Sequence, residues 1–257
     1  KGVSAKVICA AMLAGDEYPS TAIGINLPNA DWIRARYGSK SVTISNITQS
    51  YNRAAQGNGF LEEFVIDKPT LATIRRWESV TDELHTDLHE CLGHGSGQLL
   101  PGTDPNALKA YGSTIEEARA DLFGLYYMAD HKLIELGLLD SEHAYEAQYY
   151  TYLMNGLMTQ LVRIRPGFKI EEAHMLNRSL IAHWAVDMNP DALQLIETGG
   201  KHYVKINDYK ALRVVFGRQL AEIQRIKSEG DFEAARNLIE HFAVKVDPQL
   251  HQEILQR

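Results

Sequence analysis

The sequence has 257 residues and a formal net charge of −7, from 26 Lys and Arg against 33 Asp and Glu. A chain of this length can bury about three quarters of its unfolded surface, so it does not need disulfides to fold. Hydrophobic residues make up 45% of it and charged residues 23%, values that exclude a disordered chain. The acidic balance without a basic block predicts no nucleic-acid partner, and no apolar run reaches the roughly 18–20 residues that span a membrane.

The cysteine content indicates a reducing compartment. Cys9 and Cys91 lie far apart in the sequence and cannot form a disulfide framework, so we expect a cytoplasmic location. The chain begins at Lys1 rather than at a methionine and ends inside a helical pattern at Arg257. We therefore expect both ends to be boundaries within a longer protein.

The first part of the chain, 1–55, differs from the rest in residue composition and pattern. Turn-forming groups such as Tyr18-Pro19-Ser20 and Tyr37-Gly38-Ser39 flank an alternating β-branched stretch at 41–47, which predicts a strand. Two strands alone are marginally stable, so we expect no independent sheet here. The segment is predicted to be loop and strand that packs on something larger and belongs partly to a second lobe.

Beyond residue 56 the pattern becomes helical. Asp67-Lys68-Pro69-Thr70 predicts the start of a long helix, and Ser113-Thr114 predicts a helix that ends at Gly137. His202–Ile206 predicts one short strand after a break at Gly199-Gly200. Further helices are predicted over 141–162, 170–186, 208–228 and 231–244. The sequence thus predicts a mainly α fold with a helical domain at 56–257 and a small loop and β segment near the N-terminus.

The most informative segment is His89-Glu90-Cys91-Leu92-Gly93-His94. It resembles the zinc-peptidase pattern His-Glu-x-x-His, in which two histidines one turn apart bind zinc and the glutamate is a general base. Here the second histidine comes one residue late, which on an ideal helix leaves the two side chains about 140° apart instead of about 40°. We predict a one-turn π-bulge that absorbs the extra residue, with Gly93 tolerating the unusual backbone.

A rival pairing is open at this point. His85 and His89 stand at the conventional spacing of four residues, and His94 would then have no role. That interpretation leaves Glu90 and Gly93 unexplained.

A third ligand is expected from a second acidic segment. Catalytic zinc sites commonly take three protein ligands and keep one position open. Glu117 and Asp121 share a helix face at a spacing of four, an arrangement in which the glutamate ligates zinc and the aspartate holds a ligand histidine by its distal N–H. Glu116 is then placed to hold the other histidine. The simpler alternative is that these acidic residues have no metal-binding role and only lie at a helix N-terminus, where the helix dipole favours negative charge.

With these two motifs the sequence resembles the dipeptidyl peptidase III family of zinc metallopeptidases. The family signatures are His-Glu-x-x-Gly-His and Glu-Glu-x-Arg-Ala followed by Glu or Asp. The similarity extends to Gly24-Ile25-Asn26-Leu27-Pro28-Asn29 and to Glu172-Ala173-His174-Met175, and Ala118 makes the bacterial members the most similar.

The resemblance implies a role for each matching residue. His89, His94 and Glu117 would ligate one zinc ion per chain, and Glu90 would be the general base. Glu116 and Asp121 would hold the ligand histidines, although Asp121 is one methylene shorter than the glutamate of vertebrate members. The remaining implied roles are peptide positioning or transition-state stabilisation by His174, and substrate binding by Asn26, Asn29 and Arg178.

The function implied by the resemblance is release of N-terminal dipeptides from oligopeptides by a helical zinc-binding catalytic lobe. The alternative, from another class, is a non-catalytic metal-binding helical domain that binds peptide or protein partners. Members of the family are two-lobed and longer than this chain, so the other lobe of the full-length enzyme is an expected partner. The isolated 257 residues are predicted to bind zinc and to have little or no activity of their own.

Overall fold

The described part of the chain is mainly helical, which confirms the predicted fold class. The computed structural model describes residues 3–10, 24–28, 31–55 and 57–257. The α-helices are α1 (Asp31–Tyr37), α2 (Ser45–Ala55), α3 (Phe60–Phe64), α4 (Lys68–Leu88), α5 (Gly112–Met128), α6 (Lys132–Glu135), α7 (Tyr145–Leu157), α8 (Ala173–Met188), α9 (Tyr209–Glu229), α10 (Phe232–Phe242) and α11 (Pro248–Gln256). The strands are β1 (Val3–Ile8), β2 (Gly24–Leu27), β3 (Ser39–Ile44), β4 (Leu193–Thr198) and β5 (Lys201–Ile206).

Helical turns of other pitch join some of these helices. A π-helix at His89–His94 continues directly from α4. A 3₁₀ turn at Lys109–Tyr111 leads into α5, and another at Thr159–Arg163 follows α7.

Helix α4 begins where the sequence predicts. The Asp67 side chain accepts a hydrogen bond from the Thr70 backbone N–H at 2.8 Å, and Pro69 occupies the first turn, where its missing N–H is not needed. The helix packs on α5 and α7. Its buried positions Ile74, Thr81 and His85 recur at helical spacing, so α4 presents one continuous face to the core and carries the first histidine motif at its end.

Helix α5 lies at the centre of the core. It packs against α4, α8, α9 and the π-helix, and Ile115, Leu122 and Leu125 have no exposed surface. Arg119 and Asp121 are also buried on this helix, at 0% and 5% exposure. Buried charges need partners, so these two residues point to a polar network inside the fold.

Two predicted helix boundaries around α5 are wrong. Ser113 and Thr114 do not cap the helix but lie inside it, because the 3₁₀ turn before Gly112 already starts the helical winding. The helix ends at Met128 rather than at Gly137, which has φ 70° and follows the separate short helix α6.

The N-terminal segment contains more regular structure than predicted. β1 pairs in parallel with β3, and β2 pairs antiparallel to β3 with Asn26 opposite Ser41, so three strands form a small sheet where one strand was predicted. The predicted strand at 41–47 ends at Ile44, since Ser45 begins α2. Both β2 and β3 contact the π-helix, and this packing against a larger body stabilises so small a sheet.

The strand predicted at His202–Ile206 is confirmed as part of β5, but its partner β4 was not predicted. The Gly199-Gly200 pair forms the two-residue connection between them, with φ values of 61° and 76°. A two-residue hairpin turn whose backbone twist matches that of its strands requires positive φ at both positions. The pair is therefore a hairpin turn and not merely a helix break.

None of the helices within the described ranges combines the length and apolar character needed to cross a lipid bilayer.

Gly93 allows the π-helix to lie directly against α5. A Cβ atom at this position would lie 2.6 Å from Ala120 Cα and 2.7 Å from Ala120 Cβ. The predicted reason for this glycine was an unusual backbone conformation. The contact gives a different reason, which is close packing between the two elements that carry the motif residues.

We expect Gly93→Ala to destabilise the fold by about 1–3 kcal/mol, because the added methyl overpacks a contact made by backbone atoms on both sides. Urea unfolding followed by circular dichroism measures the change. Gly112→Ala is the matched control, since a Cβ there meets only Leu108 Cβ at 3.7 Å. Equal stability of the Gly93 variant and the wild type would contradict this packing role.

Candidate metal centre

The π-helix brings the two motif histidines together. The Nε2 atoms of His89 and His94 lie 3.0 Å apart, and their rings meet edge to face. The backbone distortion predicted from the five-residue spacing is therefore present. It removes the angular separation that a regular α-helix would impose on these side chains.

Each histidine is held at its other ring nitrogen by a carboxylate from α5. His89 Nδ1 lies 2.7 Å from Asp121 Oδ1, and His94 Nδ1 lies 2.8 Å from Glu116 Oε1. A carboxylate accepts, so each Nδ1 carries the hydrogen, and in the neutral rings both Nε2 atoms present lone pairs. Two lone pairs facing each other at this distance require a cation or a proton between them.

Glu117 completes a set of three candidate ligands. Its Oε2 lies 3.3 Å from His89 Nε2, and its Oε1 lies 3.7 Å from His94 Nε2. The ligand atoms of the three residues all lie within 4.8 Å of one another. Tetrahedral zinc with bonds of about 2.0–2.1 Å places its ligand atoms about 3.3 Å apart, so this set fits zinc.

A second set, His85, His89 and Asp121, satisfies the same distance criterion and corresponds to the rival pairing. His85 Nε2 lies 3.1 Å from Asp121 Oδ1, the oxygen that also faces His89. His85 and Asp121 are buried, and the cleft described below is lined by His89, His94 and Glu117 but by neither of them. Only the first set offers the open position that a catalytic metal needs.

The electric field at the centre favours positive charge. Burial acts to lower the pKa of His89, but the carboxylates of Asp121 and Glu117 outweigh burial and raise that pKa to about 10. Burial likewise opposes ionisation of Asp121, yet His89 and His85 hold its pKa well below the usual range. A proton on His89 and a metal ion therefore compete for the same place.

Arg119 connects the two motifs from within the core. Its Nη2 donates to the Gly93 carbonyl at 2.7 Å and to Glu116 Oε1 at 2.9 Å. Lys227 from α9 also contacts the Glu116 carboxylate. Burial would raise the pKa of Glu116, but His94, Arg119 and Lys227 hold it well below its usual value. Glu116 is thus ionised and fixed where it meets His94.

Glu90 is buried beside the candidate ligands at 7% exposure, and its Oε2 atom has no hydrogen-bond partner. Burial raises the pKa of this carboxyl, against the opposing effect of His89 and His94. Its backbone carbonyl accepts hydrogen bonds from Asn26 Nδ2 at 3.2 Å and from Ser41 Oγ at 3.1 Å. Strands β2 and β3 therefore hold the segment that carries Glu90.

These residues lie along a cleft of about 620 Å³. Its walls include β2 residues such as Asn26, the candidate ligands, and His174 at the start of α8. His174 is 61% exposed, with Nε2 3.4 Å from Glu117 Oε2 and Nδ1 2.7 Å from Glu172 Oε1. The cleft gives an external molecule access to the candidate ligands and to Glu90.

Eight of the ten site residues predicted from the sequence come together here: His89, His94, Glu117, Glu116, Asp121, Glu90, His174 and Asn26. Arg178 does not join them. It lines a separate cavity of about 240 Å³, where its Nη1 donates to Asn155 Oδ1 at 3.0 Å. Asn29 lies outside the described residues.

Among the residues that hold the centre, sequence reasoning missed Arg119, Ser41 and Tyr152, as well as Lys227. Arg119 lies three residues after Glu116 among apolar neighbours, and that position was an available signal for a buried cation. Ser41 bonds to the Glu90 carbonyl and Tyr152 bonds to Asp121. These are contacts between distant segments, and no spacing in the sequence predicts them.

Comparison with known proteins shows the family of this chain. The model of the family described as "Peptidase family M49" matches residues 17–109 and 103–255. The chain is 25% identical to human dipeptidyl peptidase 3 over 276 residues and 26% identical to the mouse protein, covering 91% of this chain and 36% of each relative.

Solved structures show the same fold. DPP III from Caldithrix abyssi superposes with a TM-score of 0.68 at 26% identity, covering 91% of this chain and 42% of that one. Dipeptidyl-peptidase III from Corallococcus sp. strain EGB gives a TM-score of 0.70 at 22% identity, covering 91% and 41%. The chain thus spans about two fifths or less of the length of these relatives. With a family model matched along nearly its whole length, the chain belongs to peptidase family M49.

Proposed function

We propose that this chain is the zinc-binding catalytic part of a metallopeptidase that releases N-terminal dipeptides from oligopeptides. Family membership supports the reaction class, and the names of the relatives suggest dipeptide release. The observation that carries the proposal is the buried Glu90 carboxylate beside three converging ligand atoms on an open cleft. A purely structural metal site has no use for such a base.

His89, His94 and Glu117 would hold the zinc ion, one per chain. The donor set fits, because two imidazoles and a carboxylate are ordinary zinc ligands. The Nδ1 atoms of both histidines are already hydrogen-bonded to carboxylates, which leaves the Nε2 atoms for the metal. The buried, unpartnered Oε2 of Glu117 also supports a cation here. When bound, zinc supplies a water of lowered pKa, about 7, and polarises the scissile carbonyl.

Glu90 would accept the proton of the attacking water and deliver it to the leaving amine. Its pKa is raised by burial, which makes it a stronger base than an exposed glutamate. The hydrogen bonds from Asn26 and Ser41 fix the backbone at Glu90, so the carboxylate starts from a defined position. His174, exposed at the rim and anchored by Glu172, would position the peptide or stabilise the developing oxyanion.

Substrate binding by Asn26, Asn29 and Arg178 is also part of the proposal. Asn26 supports it best, because it lines the cleft and its Oδ1 has no partner. Arg178 has the weakest support, since it lines the separate cavity.

The alternative of a non-catalytic metal-binding domain requires a fourth protein ligand to close the site. Cys91 is the nearest candidate in sequence, yet its thiol interacts with Ser41 on β3, and burial raises its pKa. The group of converging ligand atoms contains His89, His94 and Glu117 but not Cys91. These observations favour the open, catalytic site.

The rest of such an enzyme is a proposed partner. Because the chain covers 36–42% of its relatives, residues 56–257 would form the catalytic domain and residues 1–55 would belong partly to a second lobe. A cytoplasmic location is proposed from the two free cysteines alone.

We expect His94→Ala to lower zinc affinity by more than about 100-fold, because even outer partners of zinc ligands are worth about 10–100-fold. Calorimetry and metal analysis after dialysis measure the loss. His183→Ala is the control, since the His183 ring bonds only to Ser179 on its own helix. Zinc retained by the His94 variant would favour the His85 and His89 pairing.

Glu90→Gln tests the general base in a longer, active form of the protein. The variant should keep zinc and lower kcat by about 10²–10⁴, because the amide cannot accept the water proton. Asp87→Asn, on α4 before the motif and half-buried, is the control that should retain activity. Full activity of the Glu90 variant would refute the proposed mechanism.

The 257-residue chain alone should bind zinc and hydrolyse dipeptidyl-arylamides slowly or not at all, because a substrate held by two lobes loses much of its positioning when one is missing. A fluorogenic arylamide assay with zinc present measures this. Robust turnover by the isolated chain would show that the cleft described here is sufficient.

A further inference from the structure

We propose that Tyr152 is a positioning residue for the His89 ligand: its buried hydroxyl fixes the Asp121 carboxylate, and that carboxylate fixes the imidazole. Tyr152 lies on α7, 31 residues from Asp121 in sequence, and forms no part of either motif. The proposal rests on the zinc site proposed above and adds a residue that neither the motifs nor the family match assigns to it.

The two carboxylate oxygens of Asp121 bind different partners. Oδ1 faces His89 Nδ1 at 2.7 Å and His85 Nε2 at 3.1 Å, while Oδ2 accepts the Tyr152 hydroxyl at 2.8 Å. The terminal torsion of an aspartate is broad and intrinsically poorly fixed. A donor on Oδ2 is therefore what holds the carboxylate plane so that Oδ1 stays directed at His89.

The hydroxyl itself has little freedom. Tyr152 is 4% exposed, and of the two acceptors near its single hydroxyl hydrogen, the charged Asp121 Oδ2 at 2.8 Å is nearer and stronger than the neutral Asn177 Oδ1 at 3.0 Å. The His85 ring packs against the Tyr152 ring with centroids 5.6 Å apart. Burial, reinforced by Asp121, raises the pKa of Tyr152 well above its ordinary value, so the phenol remains a neutral donor.

Neighbouring tyrosines of α7 show that this contact is specific. Tyr149 donates to the Leu125 carbonyl and Tyr150 to the Val204 carbonyl, each at 2.9 Å, so both tie backbone segments together. Tyr152 instead donates to the carboxylate that holds a candidate ligand. A shared role as buried core aromatics does not account for this difference.

The test is zinc affinity, measured by competition with a chromophoric chelator on the 257-residue chain. Tyr152→Phe should weaken zinc binding about tenfold, the lower end of the effect expected for partners of ligand histidines. Tyr150→Phe is the matched control, because it removes an equally buried hydroxyl of α7 that also has two partners. The control should change zinc affinity less than about twofold, and thermal melts of both metal-free variants check the fold.

A double-mutant cycle separates positioning from a general structural role. In the Asp121→Asn background, Tyr152→Phe should produce no further loss, because the group through which it acts is already altered. Equal losses in both backgrounds, or an unchanged affinity of Tyr152→Phe alone, would overturn the inference while leaving the zinc site intact. Failure of the wild-type chain to bind zinc through His94 would instead overturn the proposed function together with it.

Discussion

The architecture of the centre depends on one constraint, which is that two imidazoles five residues apart must reach the same point. A regular α-helix cannot meet it, and the π-helix at His89–His94 does so by adding one residue to a turn. The Glu90 carbonyl accepts hydrogen bonds from Asn26 and Ser41, and the Gly93 carbonyl accepts one from Arg119, so tertiary contacts hold the π-helix from both sides.

The same constraint explains why α5 must lie so close. Gly93 has no side chain, and the π-helix therefore packs on the backbone of Ala120. This approach allows two adjacent turns of α5 to hold both histidines, with Glu116 contacting His94 and Asp121 contacting His89. Asp121 is shorter than a glutamate, yet it lies 2.7 Å from His89, because close packing makes up for the missing methylene.

The sequence could predict those parts of the site that local rules determine. The five-residue spacing of His89 and His94 was sufficient to predict the π-bulge, and the spacing of Glu117 and Asp121 to predict their shared face. The helix start at Asp67 followed from capping chemistry. Contacts between distant segments were not predictable in this way: nothing near Ser41 or Tyr152 indicates that they bond to Glu90 and Asp121, and β4 lacks the clean alternation that would have identified it.

The charge balance at the centre relates this geometry to chemistry. Glu90, Glu116, Glu117 and Asp121 bring four carboxylates into or behind one wall of the cleft, and Arg119 and Lys227 supply two compensating cations. Glu117 and Asp121 pair with imidazole rings, so a divalent ion held by those rings would neutralise negative charge at this point. Against the effect of burial, the carboxylates of Asp121 and Glu117 raise the pKa of His89 to about 10, whereas burial itself raises the pKa of Glu90. At the proposed site a divalent ion would displace the proton from His89 and, by its charge, favour the ionised form of Glu90, so metal binding would also prepare Glu90 for its proposed role as general base.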